Sequence, residues 1–183
     1  MQNILKEMEK PKNKIPQKKL DVFERIIQKY EGKNDECEAK FLEAMQEHLT
    51  KEQRFGIFEQ KGSCQGTGAD KERKAFALEN AHKTLAERLD LFNKKFNRNG
   101  VLNSDNTITI KFKCSHGYYK RVHEKKIESL PASVESYFER CAGGRLYEYQ
   151  KALGIKLKIK SVDISALHEN LSNPVVFTLE IAK

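Results

Sequence analysis

The sequence predicts an α+β fold, with helices in the N-terminal half and a small antiparallel sheet in the C-terminal half. Three observations carry that expectation. Apolar residues recur at spacings of three and four through residues 16–100, then switch to strict alternation after Asn106. Glycine and Asn/Asp clusters stand at the transitions. The chain has 183 residues, enough for one large domain with a real core.

Residues 1–15 read as a flexible basic lead-in. Lys6, Lys10, Lys12 and Lys14 are answered only by Glu7 and Glu9, and Pro11 interrupts the segment. Residues 16–183 are expected to form a single domain, with a helical part at 16–100 and a strand–helix–strand–strand part at 101–183. Leu20, Phe23, Ile27 and Tyr30 share one helical face, and Gly32 stops that helix. A second helix starts at Asn34 or Asp35 and buries Cys37, Phe41 and Met45, with Cys37 acting as a small hydrophobe. Thr50 and Gln53 form a capping box for a third. Gly62-Ser-Cys64-Gln-Gly66-Thr-Gly68 then breaks the pattern as a tight turn. Its backbone amides could face an anion, but no Gly-Lys-Ser/Thr follows as a phosphate loop requires. Asp70 opens a long helical stretch reaching Phe96, interrupted near Lys83 because Thr84 and Glu87 make a second capping box.

The turn chemistry of Asn103-Ser-Asp-Asn106 leads into a half-buried strand in which Ile108, Ile110 and Phe112 alternate with polar residues. That strand delivers Cys114-Ser-His116 at its exit. Pro131 opens a helix running to Leu153 that carries Cys141 and the adjacent pair Gly143 and Gly144. Glycine within a helix costs about 1 kcal/mol relative to alanine, so the pair implies close approach of a backbone or of a ligand. Two strands close the chain, one on Ile155, Leu157 and Ile159, the other on Val175, Phe177, Leu179 and Ile181.

Composition narrows the function classes. At 38% hydrophobic and 33% charged residues the chain reads as a soluble globular protein, with no apolar run long enough for a membrane span. The first ten residues carry charges where a signal peptide needs an apolar core, so a cytoplasmic location is expected. In a reducing compartment Cys37, Cys64, Cys114 and Cys141 are expected as thiols rather than a disulfide framework. The net charge of +8 admits an anionic partner. Lys111, Lys113, Lys156, Lys158 and Lys160 could make a basic sheet face, but aromatics are missing from it and edge lysines also guard sheets against aggregation. Nucleic acid is therefore the disfavoured partner.

The leading expectation is a pocket between the Cys141 helix and the sheet, formed by Cys114, His116, Tyr118, Cys141, Gly143, Gly144 and Tyr147, that takes a small, partly apolar molecule. A second reading makes Cys114 or Cys141 a nucleophile with His116 as base, and His123 as the weaker base candidate. Cys64, Cys114, His116 and Cys141 have the donor types for tetrahedral zinc, but no Cys-x-x-Cys unit is present and no metal is assigned. The residues name no cofactor and set no oligomeric state.

The C-terminal half also resembles an uncharacterised family of bacterial cytosolic proteins. The resemblance rests on Gly62-Ser-Cys64, Cys114-Ser-His116, Tyr137 to Gly144, Ala152-Leu-Gly154 to Val162, and Asn173-Pro174 to Ile181, and covers roughly residues 55–182. The order strand, glycine-bearing helix, two strands is loosely similar to vinyl-reductase-type small-molecule-binding domains and to the aminothiazoline-carboxylate hydrolase family. The first likeness implies small-molecule binding; the second implies an enzyme that cleaves a C–N bond, which together with the cysteine reading gives the alternative of a thiol-dependent hydrolase. This chain departs from the family pattern in having Ser63 before Cys64 and one cysteine in the central helix. No catalytic residue is carried over.

Overall fold

The computed structural model describes residues 1–63 and 69–182 and shows an α+β protein. The helices are α1 (Gln2–Met8), α2 (Gln17–Lys29), α3 (Asn34–His48), α4 (Lys51–Lys61), α5 (Asp70–Glu79), α6 (Leu85–Phe96), α7 (Gly117–His123), α8 (Val134–Leu153) and α9 (Ala166–Glu169). The strands are β1 (Gly100–Leu102), β2 (Thr107–Phe112), β3 (Leu157–Asp163) and β4 (Val175–Ile181), forming one antiparallel sheet in the order β1-β2-β4-β3. Of the expected glycine turn around Cys64, residues 64–68 lie outside the described residues. The chain divides into two compact units, where one domain was expected for 16–183. The first is Met1–Ser63 with Pro131–Gly144, the second Cys64–Leu130 with Arg145–Lys183, so α8 contributes to both. No helix among the described residues is long and apolar enough to cross a membrane.

In the first unit, Phe23, Phe41, Met45, Ile57 and Phe58 are fully buried, with the rings of Phe23 and Phe41 centred 4.9 Å apart. The expected loose lead-in is instead structured. Ile4, Leu5 and Met8 form an apolar stripe on α1 and join this core. Glu7 on the same helix is 1% exposed, and its carboxylate lies 2.6 Å from Lys10 Nζ and 2.8 Å from Lys12 Nζ. Two of the lysines that suggested a solvated tail thus neutralise a buried acid. The capping box at Thr50 is present and starts α4. Arg54 on α4 donates through Nε and Nη2 to Glu139 of α8 at 2.6 and 2.8 Å, and through Nη1 to the Leu49 carbonyl.

The second unit holds the sheet. Its buried face is Ile108, Ile110 and Phe112 from β2, Val175, Phe177 and Leu179 from β4, and Leu157 and Ile159 from β3. Residue Lys160 is a bulge, which shifts the alternation so that Val162 rather than Ser161 pairs with Phe177 and is buried. The predicted break near Lys83 is complete: α5 ends at Glu79, and α6 begins after the Thr84 capping box. Two elements that the sequence reading did not assign are the three-residue strand β1 and the short basic helix α7.

Candidate functional site

The glycine pair has a structural explanation within the first unit. A Cβ on Gly143 would lie 2.1 Å from the Phe58 carbonyl oxygen, and one on Gly144 would lie 1.9 Å from the Ser63 carbonyl oxygen. Gly62 makes the reciprocal approach, since its own Cβ would stand 2.2 Å from the Gly143 carbon. The Ser63 amide donates to the Arg140 carbonyl at 2.9 Å. The end of α4 therefore lies directly on α8, and protein backbone fills the space left by the absent side chains. Cys141, on the same helix, is 8% exposed.

The other expected site residues belong to the second unit. Cys114 is half-buried, and its thiol donates to the His116 carbonyl at 3.2 Å. His116 is exposed, with Nδ1 3.1 Å from Ser115 Oγ. The thiol and the imidazole are thus not hydrogen-bonded to one another, as nucleophile and base would be. Tyr118 is buried with its ring edge-on to Tyr119, and burial raises its pKa. Tyr147 donates its hydroxyl to the Asp70 carboxylate, a bond that raises the Tyr147 pKa and lowers that of Asp70. Among the described residues no group of three or more His, Cys, Asp or Glu side chains is placed to hold a metal ion. Cys64, the remaining member of the candidate zinc cluster, lies outside the described residues.

A different cluster emerges around Glu148, whose side chain is 6% exposed. Arg73 reaches its Oε1 at 3.0 Å, Arg98 reaches both oxygens at 3.2 and 3.3 Å, and Arg145 donates through Nη1 to Oε2. Asp70 answers Arg73 at 3.3 Å. Among the described residues, three guanidiniums therefore face two carboxylates. Arg98 is further fixed by donating through Nη1 to the Phe96 and Asn97 carbonyls. Arg145 is held differently. Its guanidinium sits 5.3 Å from the centre of the Phe112 ring, and its Nε and Nη2 have no hydrogen-bond acceptor among the described residues.

Arg98 and Arg145 open onto a cleft of about 410 Å³. Ile110 and Phe112 supply its apolar lining, and Lys111, Lys113, Cys114 and Ser115 continue along the end of β2. Asn99, also in the lining, is tied to this strand by a 2.7 Å bond from Nδ2 to the Lys111 carbonyl. No carboxylate is among the lining residues, and neither Lys111 nor Lys113 makes an ion pair among the described residues. Of the residues expected at a site, only Cys114 lines this cleft. Arg98 was missed because its turn, Asn97 to Gly100, reads as a helix stop. Arg145 and Glu148 did carry a signal in their i, i+3 spacing, a pairing distance on a helix.

The lysines considered for a basic sheet face are interrupted by acids. Lys158 pairs in register with Glu180, and Lys160 Nζ lies 3.1 Å from Asp105 Oδ2. Comparisons with protein-family models, with curated proteins and with solved structures find no match to this chain.

Proposed function

We propose that this protein binds a small, partly apolar organic anion in the cleft lined by Arg145 and the end of β2. The observation that carries the reading is the Nε and Nη2 edge of Arg145, which has no acceptor among the described residues and is held over Phe112 in a lining whose described residues include cations and no carboxylate. Such an edge presents two parallel N–H donors, the geometry that an oxyanion accepts best. Glu148 supports the site by fixing Arg98 and Arg145 in place before a ligand arrives, so less order has to be imposed on binding. The anchor of this reading is Arg145 rather than the glycine pair.

The thiol-dependent hydrolase is the weaker reading, since the Cys114 thiol bonds a carbonyl rather than a base. Nucleic-acid binding is weaker again, because Glu180 and Asp105 interrupt the lysines of the sheet face. The test is an amide-resolved NMR titration with benzoate and phenyl phosphate, with benzamide as the uncharged control. Shifts centred on residues 110–115 and on the Arg145 side chain, induced by an anion and abolished in Arg145→Gln, support the proposal. If neither anion shifts these resonances, or benzamide does so equally, the proposal falls.

A further inference from the structure

We infer that the anion taken by this cleft is a dianionic phosphate monoester with a small organic body, an inference that rests on the binding proposal above. The argument is one of charge and oxygen count. Arg73 is answered by Asp70, and Glu148 is shared among Arg73, Arg98 and Arg145, so among the described residues the carboxylates of this cluster are outnumbered by its guanidiniums. Lys111 and Lys113 add two more cations beside it, with no ion-pair partner among the described residues. A carboxylate brings one negative charge to this excess, whereas a phosphate dianion brings two and a third terminal oxygen. A phosphate monoester can place two oxygens on that edge and still offer a third to a lysine or to the Ser115 hydroxyl.

The donors also approach from different elements. Arg98 follows α6, Arg145 is on α8, Lys111 is on β2 and Ser115 is on the loop beyond it. A phosphate accepts from several such directions through its three terminal oxygens. Ile110 and Phe112 are in the lining beside the anchor, with their side chains largely buried in the sheet core. Cys114 borders the cleft but takes no part, because its thiol proton is directed at the His116 carbonyl.

The test uses the whole chain and three probes at fixed ionic strength: phenyl phosphate, benzoate and inorganic phosphate. The second phosphate ionisation falls near pH 6, so a site for a dianion should strengthen as pH rises through that value. Phenyl phosphate is expected to bind about tenfold more tightly than benzoate near pH 7.5, with the advantage shrinking towards pH 5. It should also exceed inorganic phosphate, through contact of its ring with the cleft lining. The paired exposed variant Lys111→Gln/Lys113→Gln should lower the affinity for phenyl phosphate more than that for benzoate, and its surface position leaves folding intact. Arg145→Lys, which keeps the charge and loses the fork, should weaken both. Equal affinity for benzoate and phenyl phosphate, or a ratio that does not change with pH, overturns the phosphate assignment and leaves the anion-binding proposal standing. Equal affinity for inorganic phosphate overturns the ester. Failure of all three probes to bind removes the parent proposal itself.

Discussion

Replacing Gly144 with alanine tests whether the glycine pair serves packing. An added Cβ would stand 1.9 Å from the Ser63 carbonyl oxygen, and one of the two must retreat by about 1.5 Å to reach the 3.4 Å of an ordinary contact. The obstacle is backbone, tethered by the 2.9 Å bond from the Ser63 amide to the Arg140 carbonyl, so no rotamer change relieves it. Overpacking of this kind costs about 1–3 kcal/mol, and contact with rigid backbone argues for the upper end. Alanine recovers about 1 kcal/mol of helix propensity. The net expectation is a loss of about 2 kcal/mol, or a fall in Tm of roughly 4–8 °C for a chain of this size. Gly56→Ala is the control, because a Cβ there meets nothing within 4 Å. It should stabilise by up to about 1 kcal/mol, which makes the same substitution opposite in sign at two positions. Unfolding followed by circular dichroism reads both. A Gly144→Ala protein as stable as the parent, alongside the expected Gly56→Ala gain, would refute the packing explanation.

Three further expectations follow from buried charge and exposure. Arg54→Met should cost about 3–5 kcal/mol by leaving Glu139 buried without its partner, while Arg54→Met/Glu139→Met should lose less, as denaturant unfolding would show. Burial works against the Glu7 charge, yet Lys10 and Lys12 hold its pKa below the ordinary value. Its contribution is therefore present above the unfolded pKa of about 4.3 and lost as pH falls through the lower folded value, so the stability gap between parent and Glu7→Gln should close in acid. Alkylation at neutral pH, mapped by peptide mass, should label half-buried Cys114 and Cys37 before buried Cys141; labelling of Cys141 first would contradict its placement.

Much of the fold was legible because local signals agreed with the tertiary outcome. Thr50 with Gln53 and Thr84 with Glu87 satisfied orphan amides at the predicted helix starts. Ile108, Ile110 and Phe112 alternated as a half-buried strand must. The failures share a physical cause, in that the deciding partner lies outside the local window. Residues 1–15 looked solvated because the lysines were counted, whereas Ile4, Leu5 and Met8 gain their stability from the Phe23 and Phe41 core. β1 is too short for alternation to show, and is set by its pairing with Ile108 to Ile110. The Lys160 bulge left no mark in a stretch that alternates cleanly up to that point.

The site was harder to read for a related reason. Sequence reasoning gives weight to residues with chemistry of their own, and so to Cys114, His116 and Cys141. The cleft depends instead on how ordinary residues share their hydrogen bonds. Arg98 and Arg145 carry the same charge and touch the same Glu148 carboxylate, yet Arg98 directs its remaining donors largely to backbone carbonyls and Arg145 retains an open edge. That difference arises because Arg98 sits in a turn, where carbonyls point outwards, while Arg145 sits mid-helix, where they are already taken by the helix itself. Position within secondary structure therefore decides which arginine is structural and which can meet a ligand. The same logic makes Arg145→Lys, rather than any cysteine substitution, the most informative single change in the molecule.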